Sequence, residues 1–373
     1  MARGGWLGRG RAAAVGAAAA LCVAGATASE DVAGVHVSYP AVVPGHVLEF
    51  PRDHGSHPDF RTEWWYATGW LTTDGGETLG FQVTFFRTRP DLPQDNPSAF
   101  APQQLIIAHA ALSDPGRGSL WHEQRIARAT HGLAGAREGD TDVWLDDWRL
   151  VRNDGRYRAA VSGEALSFEL EFTPTQAILL NGEDGFSRKG REPGSASYYY
   201  SQPQLAVAGE VVRDGRRVAV TGTGWLDHEW STALLDEDAV GWDWVGINLD
   251  DGGALMAFRL RDAEERSVWA SATRRGADGA VTTFAPDAVE FAPGRRWRSL
   301  RTGIEYPVVW RLRVGSEEYD LEPLMDDQES DSRFTTGAVY WEGAVRAIRS
   351  GRPVGRGYLE LTGYGEPLLL PGS

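Results

Sequence analysis

Gly222-Thr-Gly-Trp-Leu-Asp-His-Glu-Trp-Ser231 is the stretch on which the reading of this chain turns. It places three ionisable side chains, Asp227, His228 and Glu229, between Trp225 and Trp230, and Trp242-Asp-Trp244 follows shortly after. Glycines precede it and β-rich sequence flanks it, so the segment reads as extended, with successive side chains on opposite faces. His228 and Trp230 then share one face; Trp225, Asp227 and Glu229 share the other. If the first face looks into a cavity, a proton-transferring imidazole lies beside a large aromatic wall. The alternative is a buried charged cluster that pins one domain to another, because strongly perturbed groups serve both ends.

Outward from this stretch the pattern is strand and tight turn. Glu63-Trp-Trp-Tyr-Ala-Thr-Gly-Trp-Leu71 runs aromatic and extended, Thr73-Asp-Gly-Gly76 is a hairpin signal, and Thr78 to Thr88 reads as the return strand. Asn153-Asp-Gly155, Asp214-Gly215, Asp250-Asp-Gly-Gly253 and Ala277-Asp-Gly279 repeat the signal. No segment sustains a helical period, so the chain reads as all-β, a meander, sandwich or barrel. Glu63-Trp-Trp-Tyr with Asp74-Gly-Gly76 is echoed by Trp242-Asp-Trp with Asp251-Gly-Gly253, which suggests two related β units.

The 373 residues suffice for one large or two ordinary domains, and 42% hydrophobic with 24% charged residues is a globular profile. Arg3, Arg9 and Arg11, an apolar run from Ala12 to Ala26 and the small-x-small Ala26-Thr-Ala28 read as a cleaved secretory signal peptide over residues 1–28, hence a secreted or periplasmic protein. Cys22, the single cysteine, lies within it, so the mature chain would have no disulfide and no thiol chemistry. The formal charge of −15 becomes −18 once those three arginines go, which argues against nucleic acid as a partner. Lys189 is the sole lysine; the arginine bias reads as genome composition.

No G-x-S-x-G elbow, P-loop, dinucleotide fingerprint or HExxH occurs. His54-x-x-His57 with Asp53 and Asp59 offers metal-ligand types but reads as a solvated loop, so no metal is expected. His109, inside Leu105-Ile-Ile-Ala-His-Ala-Ala-Leu112, is either a hydrogen-bonded core histidine or a cavity-facing group. The 15 tryptophans stand out, several beside acids: Glu63-Trp64, Glu229-Trp230, Asp243-Trp244 and Trp341-Glu342. Aromatic faces hold apolar ligands and stabilise cations, and a carboxyl in an apolar setting stays protonated. Such a set suits protonation of an unactivated alkene, and equally a plain hydrophobic ligand site.

Glu63-Trp-Trp-Tyr, Tyr199-Tyr-Ser201, Gly224-Trp-Leu-Asp-His-Glu-Trp-Ser231, Gly241-Trp-Asp-Trp244, Tyr340-Trp-Glu-Gly343 and Gly357-Tyr-Leu-Glu-Leu-Thr-Gly-Tyr364 resemble the AttH-like family, which includes the carotenoid 1,2-hydratases. The resemblance implies two lipocalin-like β-barrel domains in tandem, here taken as residues 45–218 and 219–373, and a cavity for an isoprenoid or other apolar molecule. Hydratase members add water to a terminal prenyl double bond without a redox cofactor, and their Asp-His-x-Trp motif falls on His228 and Trp230. Other members are known only as predicted secreted hydrolases, and related fungal proteins catalyse cycloadditions. The leader and the Asp-His-Glu-Trp form resemble the AttH-like branch more than the carotenoid branch.

The expectation is therefore a cofactor-independent hydratase-like lyase. Asp227, Glu229 or Asp243 would supply the acid and His228 would relay the proton. Trp230, Trp242, Trp244, Trp64, Trp65, Tyr66, Tyr199 and His109 would line the substrate site, and contact with a membrane periphery is a further expectation. A non-catalytic lipid or pigment carrier is the alternative; it needs the aromatics but no acid facing its ligand. A hydrolase needs a nucleophile or metal-bound water that no motif supplies.

Overall fold

The computed structural model describes residues 37–90, 103–233, 236 and 238–367. The expected leader with Cys22 and most of the proline-rich loop before Gln103 lie outside the described residues. Among the described residues helix is confined to two 3-10 turns, Arg52–His54 and Pro286–Ala288. Everything else that is regular is antiparallel strand, in a 13-stranded sheet, a 10-stranded sheet and one short two-stranded ribbon. The turn chemistry is as the sequence requires: Asp154-Gly155 and Asp214-Gly215 both have positive φ at the two central positions, the conformation of type I′ hairpins.

Both large sheets curl into barrels, and they share one connectivity. In the first, the Thr62–Thr73 strand sits between its hairpin partner Thr78–Thr88 and the much later Arg216–Ala233, which in turn pairs with Ala196–Arg213. In the second, Gly241–Leu249 sits between Ala254–Arg261 and Arg352–Leu361, which pairs with Ala338–Arg349. First strand pairs with last in each, so the echo in the sequence is a repeat of topology. The end strand Ser119–Arg128 of the first sheet is tied to the hairpin between Arg156–Ser162 and Leu166–Pro174 by Arg125 Nη2 donating to the Ser162 carbonyl at 2.7 Å and by Ala165 N–H donating to Glu123 Oε1 at 2.7 Å.

The expected boundary at residue 219 falls inside a strand. Val220 to Ser231 pairs residue for residue with Thr62–Thr73, so the opening stretch is the closing strand of the first barrel; the chain changes sheet only after Ala233. The cause is the first-to-last pairing, which local sequence does not carry.

Each barrel is filled by its inward side chains. Trp65, Phe81, Phe85, Trp148, Phe168 and Phe172 are among those that fill the first, and Trp310, Tyr306, Trp341 and Leu359 are among those that fill the second. Burying such side chains stabilises by about 1.5–3 kcal/mol each. The barrels meet through their outward faces: Tyr66, Trp70 and Trp225 of one pack with Trp244, Met256, Ala344 and Tyr358 of the other. Trp70 Nε1 donates to the Gly357 carbonyl at 2.9 Å, and Asn248 Nδ2 to the Gly224 carbonyl at 2.9 Å. Small residues allow the approach: a Cβ on Gly80 would sit 2.7 Å from the Ala344 Cβ, and one on Gly246 2.9 Å from the Trp225 indole.

Candidate functional site

The alternation along Trp225–Trp230 is real, and it separates two environments. On the inner side His228 is fully buried. Its Nε2 lies 2.9 Å from Glu63 Oε1 and its Nδ1 3.2 Å from the Tyr200 hydroxyl. Glu63 is the hub. It accepts from Arg87 Nε at 2.7 Å and Ser56 Oγ at 2.9 Å, and His57 Nδ1 lies 2.8 Å away. His57 stacks on Trp230 at 3.7 Å, and Trp65 stacks on His228 at 4.7 Å. Burial alone would raise the Glu63 pKa, but the Arg87 guanidinium and the two imidazoles hold it well below the usual carboxylate range. Burial lowers His228 in spite of Glu63. The loop at His54-x-x-His57 is thus not solvated: Asp53 and His54 are buried, and Tyr200 joins His54 to His228.

Ligand-type atoms of His57, Glu63 and His228 lie within 4.8 Å of one another. Both Glu63 oxygens, however, already face donors, one of them a guanidinium. The donors around it make this triad a hydrogen-bonded hub.

The aromatic cavity opens on the other side of the strand, between the barrels, with about 820 Å³ of empty space including its mouth. Asp227, Glu229, Tyr199, Trp64 and Tyr66 reach it from the first barrel, and Trp242 and Trp244 from the second. His228, Trp230, Trp65, His109 and Asp243 do not line it. The first three face the hub because they occupy the alternate positions of their strands. His109 is a clasp across the barrels: its Nδ1 lies 2.6 Å from the Tyr340 hydroxyl and its Nε2 2.8 Å from Thr335 Oγ1, and burial drives its pKa down to about 3. Asp243 points away from the cavity and is held by Arg259 Nε at 2.6 Å and the Tyr364 hydroxyl at 3.0 Å.

The sheet register shows that the cavity is built twice from one plan. In the first barrel Phe86, Trp64, Glu229 and Tyr199 lie directly opposite one another on adjacent strands. In the second the corresponding row is Phe258, Trp244, Glu360 and Glu342. All eight residues line the cavity. The hub has its counterpart too: Glu63 faces Arg87 across the first hairpin as Asp243 faces Arg259 across the second.

Three of the acids differ in what surrounds them. Asp227 accepts from Ser201 Oγ at 2.5 Å, the Tyr199 hydroxyl at 2.7 Å and Trp225 Nε1 at 2.7 Å. Burial pushes it up to about 7 against those donors. Glu342 is buried, and burial together with Glu360 raises it well above the usual range, with the Tyr66 hydroxyl opposing. Burial also pushes Glu360 up to about 7, with the Trp242 indole opposing and Asp227 and Glu229 reinforcing. Glu342, Glu360 and Lys189 were not singled out as site residues from sequence. The first two stand inside quoted motifs, Tyr340-Trp-Glu-Gly343 and Gly357-Tyr-Leu-Glu, and the signal was an acid inside an aromatic strand.

Fold and site define a two-barrel, lipocalin-like protein whose acid-bearing aromatic cavity lies at the seam of the barrels. The chain belongs to the AttH-like family, whose profile matches residues 41–364. It is similar to the crystal structure of NE1406 from Nitrosomonas europaea, a protein assigned as an AttH, with 56% identity and a TM-score of 0.82, covering 87% of this chain and 99% of that one. It shares its fold with kievitone hydratase from Nectria haematococca at 16% identity and a TM-score of 0.66, covering 88% and 96% of the two chains. A third structure, CghA, aligns at 12% identity and a TM-score of 0.50, covering 82% of this chain and 89% of that one. No curated protein matches the chain.

Proposed function

We propose that the protein is a cofactor-independent lyase of hydratase type, adding water across a carbon–carbon double bond of an isoprenoid or other apolar molecule held between the barrels. The observation that carries this reading is Glu342: a buried carboxyl directly opposite a second acid, Glu360, with no cation beside it among the described residues, lining a cavity walled by aromatic rings. A carboxyl kept neutral by burial donates its proton to an alkene carbon as the π pair forms the new C–H bond. The adjacent cation is stabilised by the faces of Trp244, Trp242 and Trp64, worth about 2 kcal/mol or more per desolvated contact. Water then forms the C–O bond and gives up a proton to a cavity carboxylate. A positioned acid is commonly worth about 10²–10⁴ in rate.

A carrier of lipid or pigment needs the aromatic lining without the acids, and buried acids facing an apolar ligand weaken its binding. Kievitone hydratase shares this fold and is a hydratase by name, which supports the reading without extending its substrate to this chain. The signal-like N-terminus supports a secreted or periplasmic setting, where apolar molecules at a membrane periphery are within reach.

The test is incubation of the protein with isoprenoids that end in a dimethylallyl group, in deuterated water, followed by mass spectrometry. The expected product has gained one water with one carbon-bound deuterium, and Glu342→Gln abolishes it. Stoichiometric binding of the same compounds without any deuterium gain would identify a carrier and refute the lyase.

A further inference from the structure

The two equivalent rows of the cavity differ in one respect that matters for proton transfer. At Glu229 the chain brings up a cation: Lys189 Nζ lies 2.7 Å from Glu229 Oε1 and rests over the rings of Tyr199 at 4.7 Å and Phe258 at 4.1 Å. At the matching Glu360 no cation is paired with the carboxyl among the described residues; the place that Tyr199 holds in the first row is taken by a second acid, Glu342. Lys189 is the only lysine in a chain that otherwise uses arginine, and it is 5% exposed. Its position is fixed, since its own N–H donates to the Ser195 carbonyl at 2.7 Å. A compact ammonium fits between two rings and a carboxylate where the broad guanidinium fork does not.

We infer that Lys189 is a positioning residue that divides the cavity's acids into two protonation classes: it holds Glu229 as the carboxylate that accepts a proton from water, while the Glu342–Glu360 pair keeps the proton that is donated to the substrate. This rests on the hydratase reading for the word substrate, but the division itself does not. Two carboxyls directly opposite on neighbouring strands, without a cation, disfavour double ionisation. A carboxyl at hydrogen-bond distance from an ammonium favours the ionised form. The groups facing Glu342 are Glu360, Tyr66, Tyr358 and Tyr340; those facing Glu229 are Lys189, Ser197, Tyr199, Asp227 and, more remotely, Glu360. Burial drives Glu342 upward and Glu360 to about 7, which agrees with a proton held on that pair. In the reaction one proton leaves the pair to form C–H and one leaves water for Glu229 as C–O forms. The protein returns to its starting state when a proton passes from Glu229 to the pair through solvent.

The experiment is infrared spectroscopy of the full chain near neutral pH, read at the protonated-carboxyl C=O band. Expected is a band that Glu342→Gln and Glu360→Gln diminish and Glu229→Gln leaves in place. Lys189→Met should add a band as Glu229 takes up a proton, and Lys189→Arg should add less. Survival of the full band in both Glu342→Gln and Glu360→Gln, or an unchanged spectrum in folded Lys189→Met, overturns the division. A second readout does not rely on that variant folding: in difference spectra of wild type against Glu229→Gln the ionised-carboxylate stretching band should diminish, while Glu342→Gln and Glu360→Gln leave it in place. An undiminished carboxylate band in Glu229→Gln would refute the pairing. Neither measurement uses a substrate, so expected spectra together with no deuterium gain would sink the hydratase reading alone.

Discussion

His228→Ala tests whether the Asp-His-Glu-Trp segment is a reaction centre or a pin. The imidazole is fully buried, lies 2.9 Å from Glu63 and stacks on Trp65. Removing it takes one donor from a carboxylate that has no access to water, a loss of about 1.5–3 kcal/mol. The hole left beside Trp65 adds a penalty of roughly 24 cal/mol per Å³ that fails to collapse. A total near 3 kcal/mol follows, and at roughly 2–4 °C per kcal/mol for a domain of 150–250 residues the melting temperature should fall by about 6–12 °C. The cavity lies on the other face of the strand, so at a temperature where the variant is folded its ligand affinity should be within about twofold of wild type. The assay pairs thermal melts by circular dichroism with fluorescence titration of a neutral apolar probe such as N-phenyl-1-naphthylamine. A melting temperature within a degree of wild type combined with lost probe binding would refute the reasoning and return His228 to the cavity.

Trp244→Ala and Trp242→Ala should give the opposite split for Trp242, which is partly exposed at the cavity mouth: probe affinity falls severalfold while the melt moves little. Trp244, buried in the seam, should lose both. The pH dependence of stability has two limbs of opposite sign. His109 has its pKa lowered to about 3 by burial, so its contribution is present above about 6.5 and is lost as pH falls towards 3; the destabilisation caused by His109→Ala should therefore shrink between pH 8 and pH 4 in melts. Asp227 is raised to about 7, so its contribution is present below about 4 and lost as pH rises through 7; Asp227→Asn should gain on the wild type as pH rises over that interval. Zinc added in excess should leave the melting temperature unchanged, since Arg87 already occupies Glu63; stoichiometric zinc in calorimetry, abolished by Glu63→Gln, would show that the hub opens to a metal.

The strands, their turns and the partition of faces along Trp225–Trp230 were legible because they are local: period-two alternation and Asp-Gly turns need no partner. What remained hidden is tertiary. Which face of the motif strand meets a ligand depends on a second sheet packing against it, and nothing within Asp227-His-Glu-Trp230 says on which side that sheet lies. Glu342 and Glu360 stand opposite each other only through the pairing of two strands. Asp243 looked like an acid in an aromatic setting, but its register partner Arg259 claims it. Lys189 carried a signal of another kind, a lone exception in composition, which the buried ion pair with Glu229 turns from a genomic habit into a placed charge.

The rows that line the seam alternate, residue by residue, with the rows that fill the barrels. Trp64 lies between buried Glu63 and Trp65, Phe86 follows Phe85 of the core, and Phe258 follows Ala257. Evolution can therefore rewrite the guest while leaving the house standing: substitutions at Phe86, Phe258 or Leu260 reshape the chamber without opening a hole in either interior. Divergence of ligand choice and retention of fold then become separable traits, encoded at odd and even positions of the same strands. An enzyme built around a barrel interior lacks that freedom, because there every change that admits a new guest also loosens the core.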